Sequence, residues 1–268
     1  QRGQNAGMEI DRYLVESALL THGLKSISNE ELINRWKSNR KNIVWVDNGN
    51  IIFGGIKEFA EFRKNSSSLI RIDCYQLDDA IENKKSGALT ASGTMKVCER
   101  EGIKLAITCG MGGIGDIKGE ELCPDLPALR DINVALISTS PKDMLKIDET
   151  IDWLKENNVR VVSENTDRCS GYIFNSADVE IEKVDKLSYK SLTNRLLILN
   201  AIPNEKRVND LSILEKAIQN GKEAEKQGIY YHPAVNAKID ELSRGYSSEI
   251  QLDSIIANVE LAEEICYK

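Results

Sequence analysis

The residues able to do chemistry are concentrated between Gly102 and Lys142. An apolar run, IKLAIT (Ile103 to Thr108), empties into CGMGGIGD, with glycines at Gly110, Gly112, Gly113 and Gly115. Glu120, Glu121 and Asp125 follow, and Lys142 stands just past a second apolar run, NVALIS (Asn133 to Ser138). Glycine tolerates positive φ and carries no side chain, so successive N–H groups of such a loop can turn toward an anion or a sugar oxygen. Taken alone, the glycines fit an ordinary tight turn equally well. Both apolar runs are short and β-branched, as buried strands of a parallel sheet are. Residues beyond the carboxyl ends of neighbouring parallel strands converge on one crevice. The pattern therefore predicts a pocket shared by glycines, carboxylates and an amine.

Lys142 opens a segment with apolar residues at Met144, Leu145, Ile147, Ile151 and Leu154, which predicts a helix with Lys142 in its first turn. A helix dipole repels a cation there and depresses the amine pKa, and a lysine of lowered pKa suits imine chemistry. The alternative is a solvated surface lysine. Glu16 is the other conspicuous group, a single acid inside the apolar stretch RYLVESALLTHGL (Arg12 to Leu24). Either it solvates an edge strand, or it is a carboxyl at a site where burial raises its pKa. In GALTASGTM (Gly87 to Met95), Thr90, Ser92 and Thr94 lie at a helix start, where free N–H groups hold an anion or the hydroxyls cap the helix.

These residues need a scaffold. Ser28 and Glu31 form a capping box ahead of a helix. NIVWV, DNGN and IIFGG read as a hairpin turning at Asn48-Gly49, placed to shield a sheet edge. SSSLIRI is a strand ending at Arg71, VRVVS and RLLILNAIP are further strands, and the chain after about Leu211 is helical. Alternating strands and helices predict an α/β fold, a mainly parallel central sheet flanked by helices in α/β/α layers. With 268 residues the chain can bury its core as one domain, 8–268, after an opening QRGQNAG (1–7) that reads as an expression remnant.

The net charge of −7 is dispersed, which argues against a nucleic-acid polymer as partner. Six cysteines without a CxxC pair, together with two histidines, form no zinc set and read as reduced thiols of a cytoplasmic protein. No apolar run approaches the roughly 20 residues of a membrane span, and no signal sequence opens the chain.

The ordered motifs resemble the pseudouridine-5′-phosphate glycosidase family, also called indigoidine synthase A-like. They are E-S-x-x-x-x-H-G (Glu16, Ser17, His22, Gly23), G-A-x-T with a later T-M (Gly87, Ala88, Thr90, Thr94, Met95), G-I-K (Gly102 to Lys104) and T-x-G-x-G-G (Thr108 to Gly113). D-L ahead of N-V (Asp125, Leu126, Asn133, Val134), Lys142 and N-x-I-P (Asn200 to Pro203) complete the series. The resemblance implies reversible cleavage of the carbon–carbon glycosidic bond between a pyrimidine and ribose 5-phosphate, a divalent metal (Mn2+ or Mg2+) and a homotrimer. It implies Glu16 as proton donor, Lys142 as the imine-forming lysine, and Glu121 as the metal carboxylate. Substrate contacts are implied at Arg71, Thr90, Ala91, Thr108, Cys123, Pro124 and Asp125, with a base-contacting asparagine aligned on Glu249.

The chain departs from the family around the phosphate. Two arginines and a histidine are lost, while Arg71 leads into Ile72-Asp73-Cys74-Tyr75 and the glycine loop into Gly115-Asp116-Ile117-Lys118. Weaker discrimination for the 5′-phosphate is the expectation. The alternatives are a related enzyme acting on a different or unphosphorylated C-nucleoside, and a non-catalytic sugar-phosphate-binding protein.

Overall fold

Short aliphatic runs alternate with amphipathic segments along this chain, and the computed structural model, which describes residues 10–268, turns that alternation into layers. The seven residues expected to be an expression remnant lie outside the described ones. The strands are β1 (Tyr13–Val15), β2 (Ile43–Asp47), β3 (Asn50–Gly54), β4 (Ile70–Ile72), β5 (Gly87–Leu89), β6 (Leu105–Ile107), β7 (Gly110–Met111), β8 (Ala135–Ser138), β9 (Ser140–Pro141), β10 (Arg160–Ser163), β11 (Arg168–Cys169), β12 (Val179–Glu180), β13 (Glu182–Lys183) and β14 (Leu196–Leu199). The helices are α1 (Asn29–Arg35), α2 (Ile56–Arg63), α3 (Leu77–Glu82), α4 (Ala91–Glu101), α5 (Asp125–Asp131), α6 (Ile147–Glu156), α7 (Leu211–Lys226), α8 (Tyr231–Leu242) and α9 (Tyr246–Tyr267).

The central sheet runs β13-β10-β14-β8-β6-β1-β2-β5-β4, with β3 paired to β2. Only the β2–β3 and β2–β5 pairings are antiparallel; β1, β6, β8 and β14 lie side by side in parallel. Side chains alternate across such strands. Tyr13, Val15, Leu105, Ile107, Ala135 and Ile137 accordingly pack on one face with apolar residues of α1, α2, α8 and α9. Leu14, Ala106, Leu136 and Leu197 pack on the other face with α4, α5 and α6. This is the predicted α/β/α arrangement.

The Asn-Gly hairpin forms, with φ of +49° at Asn48 and +79° at Gly49, as a two-residue turn between twisted strands requires. Its second strand, β3, pairs with β2 alone and covers the side of β2 that would otherwise be an open edge. Ile43 to Val46 are buried, and the side of β2 away from β3 is covered by β1 at Val15↔Ile43 and by β5 at Trp45↔Ala88. Beyond the main sheet, β7 and β9 pair in parallel, Gly110 with Ser140 and Met111 with Pro141, which draws the glycine loop beside Lys142. Among the described residues no helix is long and apolar enough to cross a membrane.

Candidate active site

Glu16 lies one residue past β1, in the middle of the parallel sheet and not at an edge, and is 5 % exposed. Thr108, one residue past β6, donates from Oγ1 to Glu16 Oε1 at 2.9 Å. Burial raises the Glu16 pKa to about 7 against the opposing pull of Arg71, the Thr108 hydroxyl and Lys142. The edge-strand reading of Glu16 is thereby excluded, and the carboxyl is buried.

Lys142 follows β9 and is not in a helix. Its N–H donates to the Met111 carbonyl at 3.1 Å and its own carbonyl accepts from Leu145 N–H at 3.0 Å, forming a turn, and α6 begins only at Ile147. The neighbouring Asp143 carboxylate explains why helix does not start sooner. It accepts from Tyr172 N at 2.8 Å, Ile173 N at 2.8 Å, Phe174 N at 3.3 Å and Ser176 Oγ at 2.6 Å, tying this turn to the segment 171–176. The Lys142 pKa is lowered, but by burial and then by Arg71, with Glu16, Cys123 and Asp125 opposing, and not by a helix dipole. Burial thus drives both Glu16 and Lys142 toward their neutral forms.

The two residues open into one cleft of about 1480 Å³, whose wall also includes Arg71, Thr90, Ala91, Thr108, Cys123, Pro124 and Asp125. Residues expected from scattered motifs are therefore brought together. Asp125, the first residue of α5, accepts from Ser92 N at 3.0 Å and from Gly112 N at 2.9 Å. Its carboxylate occupies the start of α4, while Thr90 Oγ1 caps the same helix by accepting from Gly93 N at 3.3 Å. At this helix start the hydroxyl caps, and the anion held is the protein's own.

The glycine loop serves close packing. Gly110, Gly112, Gly113 and Gly115 are absent from the positive-φ residues. A Cβ on Gly112 would instead stand 2.1 Å from Cys123 Sγ, and one on Gly110 would stand 2.5 Å from Tyr172 Cε1 and 3.1 Å from Lys142 Cγ. Small residues here let the loop lie against both Lys142 and the Asp125 segment.

Other expected residues lie elsewhere. Glu121 is exposed, accepts from Gly119 N–H at 2.9 Å and is not part of the cleft wall; its neighbour Glu120 is. Among the described residues no group of three His, Cys, Asp or Glu side chains is placed to hold a metal ion. Asp116 pairs with Lys222 at 3.3 Å away from the cleft, whereas Asp73 lines it and closes the turn ahead of α3 by accepting from Tyr75 N and Gln76 N. Glu249 bonds to Arg35, and the α9 residue that faces the cleft is Gln251.

Sequence reasoning missed Gln251, Tyr172 and His232, all on the cleft wall. Tyr172 Oη donates to Gln251 Oε1 at 3.1 Å and lies 2.9 Å from Cys109 Sγ. The one available signal was His232-Pro233, half of the chain's histidine content set at a helix start. His22, inside the opening motif, has Nε2 3.1 Å from both the Ser66 and Leu69 carbonyls and so braces the approach to β4, the strand that carries Arg71.

Residues 14–268 match the family described as indigoidine synthase A like protein. The chain is 27 % identical over 274 residues to a pseudouridine-5′-phosphate glycosidase of Petrotoga mobilis, covering 94 % of this chain and 89 % of that one. It is 28 % identical over 275 residues to the enzyme of the same name from Clostridium botulinum, with the same coverage. Among solved structures, an indigoidine synthase A-like protein of Thermotoga maritima superposes with a TM-score of 0.75 at 18 % identity over 96 % of this chain and 94 % of that one. The prealnumycin C-glycosynthase AlnA in complex with ribulose 5-phosphate gives 0.73 at 21 % identity, over 94 % and 91 %. At these identities the two superpositions establish the fold.

Proposed function

The chain belongs to the indigoidine synthase A-like family, and from that premise we propose that it is a C-glycosidase/lyase of the pseudouridine-5′-phosphate type, forming or cleaving the bond between a pyrimidine carbon and ribose 5-phosphate. The observation that carries this reading is the meeting of Glu16 and Lys142 in one cleft, each moved by burial toward the form the reaction needs. A C-glycoside has no leaving oxygen to protonate, so the ribose ring must open first. Protonated Glu16 gives its proton to O4′ as the neutral Lys142 amine attacks C1′, and the C1′–O4′ bond breaks. The attacking nitrogen then gives up a proton, which restores its lone pair, the base carbon takes up a proton, and the C1′–carbon bond breaks with its electrons going to the base. The Lys142 nitrogen lone pair closes to an imine, which water hydrolyses to release ribose 5-phosphate and the amine.

Thr108 fits a positioning role on Glu16, and Arg71, one of the cations on the cleft wall, is assigned to the phosphate. The start of α4 supplies less than its hydroxyl-rich sequence promised, because Asp125 and Thr90 already occupy the N–H groups of Ser92 and Gly93. This favours weak discrimination for the 5′-phosphate, and keeps an unphosphorylated C-nucleoside as the second reading. Oxygen donors suit Mn2+ or Mg2+, but among the described residues the side chains do not build a site for either. A single carboxylate outside the cleft, Glu121, would anchor only an ion whose shell is completed by water, and no step runs through it. The cytoplasmic location rests on the cysteines read as reduced thiols, and the homotrimer on the family resemblance; light scattering in solution tests the latter.

Borohydride trapping tests the central claim. Incubation with ribose 5-phosphate and borohydride is expected to leave a reduced adduct on the Lys142 peptide and none on a Lys142→Met variant. An adduct elsewhere, or none while turnover persists, would overturn the assignment.

A further inference from the structure

The reaction as derived leaves two cleft groups without a task. His232, in the first turn of α8, faces Glu120, which lies between the glycine loop and α5, and Nε2 stands 2.9 Å from Oε2. The two atoms are close, yet Glu120 Oε2 is buried and receives no aligned hydrogen bond. Burial works against an ion pair here. Burial, then Lys142 and Arg71, push the His232 pKa down to about 3, and burial together with Glu225 raises that of Glu120. A neutral imidazole offers one N–H donor and a carboxyl oxygen is an acceptor, so the pair presents a donor beside an acceptor, and the acceptor lacks a partner. Buried polar atoms left in that state call for a ligand or ordered water.

Their place along the cleft identifies the ligand. A nucleoside 5′-phosphate runs phosphate, O4′, C1′, base, and Arg71, Glu16 and Lys142 are assigned to the first three. The base must lie past Lys142. The sheet sets that order: Arg71 is on β4 at one end, Glu16 follows β1, and Lys142 follows β9, bonded to the β7 loop through the Met111 carbonyl at 3.1 Å. The same loop holds the Glu120 segment, Gly115 N–H donating to the Glu121 carbonyl at 3.4 Å, which puts the pair on the Lys142 side. Tyr230 and Pro233 line the same cleft and offer a ring and a flat apolar edge to a planar heterocycle.

We propose that His232 and Glu120 form the aglycone-recognition pair of this cleft, reading the edge of a cyclic amide in which a ring N–H stands beside a carbonyl: Glu120 accepts the N–H and His232 donates to the oxygen. The assignment rests on the reading of Glu16 and Lys142 given above. It makes His232 and Glu120 specificity residues for the base and gives them no part in forming the imine.

The test separates the two claims. Borohydride reduction with ribose 5-phosphate converts Lys142 to a stable secondary amine and fills the sugar half of the cleft permanently. Binding of uracil and of 1,3-dimethyluracil, which keeps the ring and both carbonyls but lacks N–H groups, is then measured by calorimetry on the loaded wild type, His232→Ala and Glu120→Ala. The dimethyl compound is expected to bind wild type at least about tenfold more weakly than uracil, and each variant to bind uracil at least about tenfold more weakly while forming the adduct to the same extent. Equal binding of the two compounds by wild type would overturn the proposal without recourse to any variant, as would unchanged uracil affinity in both variants. Absence of an adduct on wild-type Lys142 would instead overturn the reading on which the proposal rests, and the proposal with it.

Discussion

Replacing Glu16 by glutamine should make the protein more stable at alkaline pH relative to the wild type. Burial raises the Glu16 pKa from 4.5 to about 7. Between those values the folded chain holds a proton that the unfolded chain has released, so this group's contribution to stability falls as pH rises through the interval. Worked through the linkage relation from pH 5 to pH 8, the loss is about 2.5 kcal/mol. Glutamine removes the titration and keeps an oxygen able to accept from Thr108 Oγ1, which now bonds to the carboxyl at 2.9 Å. Lys142, whose pKa is lowered, has the opposite slope, but it is common to both proteins and drops out of their difference to first order. Urea unfolding at the two pH values measures that difference. It should shift by about 2.5 kcal/mol in favour of Glu16→Gln on going from pH 5 to pH 8, while pyrimidine release is lost throughout. A difference constant to within about 0.5 kcal/mol would mean that Glu16 does not hold a proton in the folded chain near neutrality, and its role as general acid would fall.

Arg71→Gln should lower kcat/KM for pseudouridine 5′-phosphate by about tenfold to a hundredfold, the worth of a charge-assisted hydrogen bond, and leave pseudouridine much less affected; equal losses on both substrates would refute phosphate binding by Arg71. Wild type should prefer the phosphorylated substrate by less than about a thousandfold, roughly 4 kcal/mol, and a larger ratio would show that the lost basic residues are fully compensated. Gly112→Ala should destabilise the fold by about 1 to 3 kcal/mol or more, because its Cβ would meet Cys123 Sγ at 2.1 Å, and a second change, Cys123→Gly, should restore much of the loss. Titration with Mn2+ should give weak binding to wild type and weaker binding to Glu121→Gln; identical isotherms would remove Glu121 as a ligand.

The layer order was legible in the chain because alternation in strands and periodicity in helices are local properties: Leu14 and Val15, or Ala106 and Ile107, must face opposite sides of any sheet they enter. The position of Lys142 beyond a strand end was legible for the same reason, whereas Glu16, expected inside a strand, falls one residue past β1. Their electrostatics were not. Lys142 was expected to be tuned by a helix dipole, but the Asp143 carboxylate binds the backbone of 172–174 and holds the turn out of the helix, leaving burial and Arg71 to lower the pKa. The loop glycines were expected to supply backbone freedom, and only the packed structure shows that Cys123 and Tyr172 fill the space their side chains would need. On α9, two positions turn a side chain by about 200°, so Gln251 enters the cleft while Glu249 reaches Arg35. The pairing of His232 with Glu120 joins the start of α8 to a loop before α5. Contacts of that kind have no periodicity to announce them, since they arise from how helices dock on the sheet, and docking sums many apolar contacts over the whole chain that no local stretch contains.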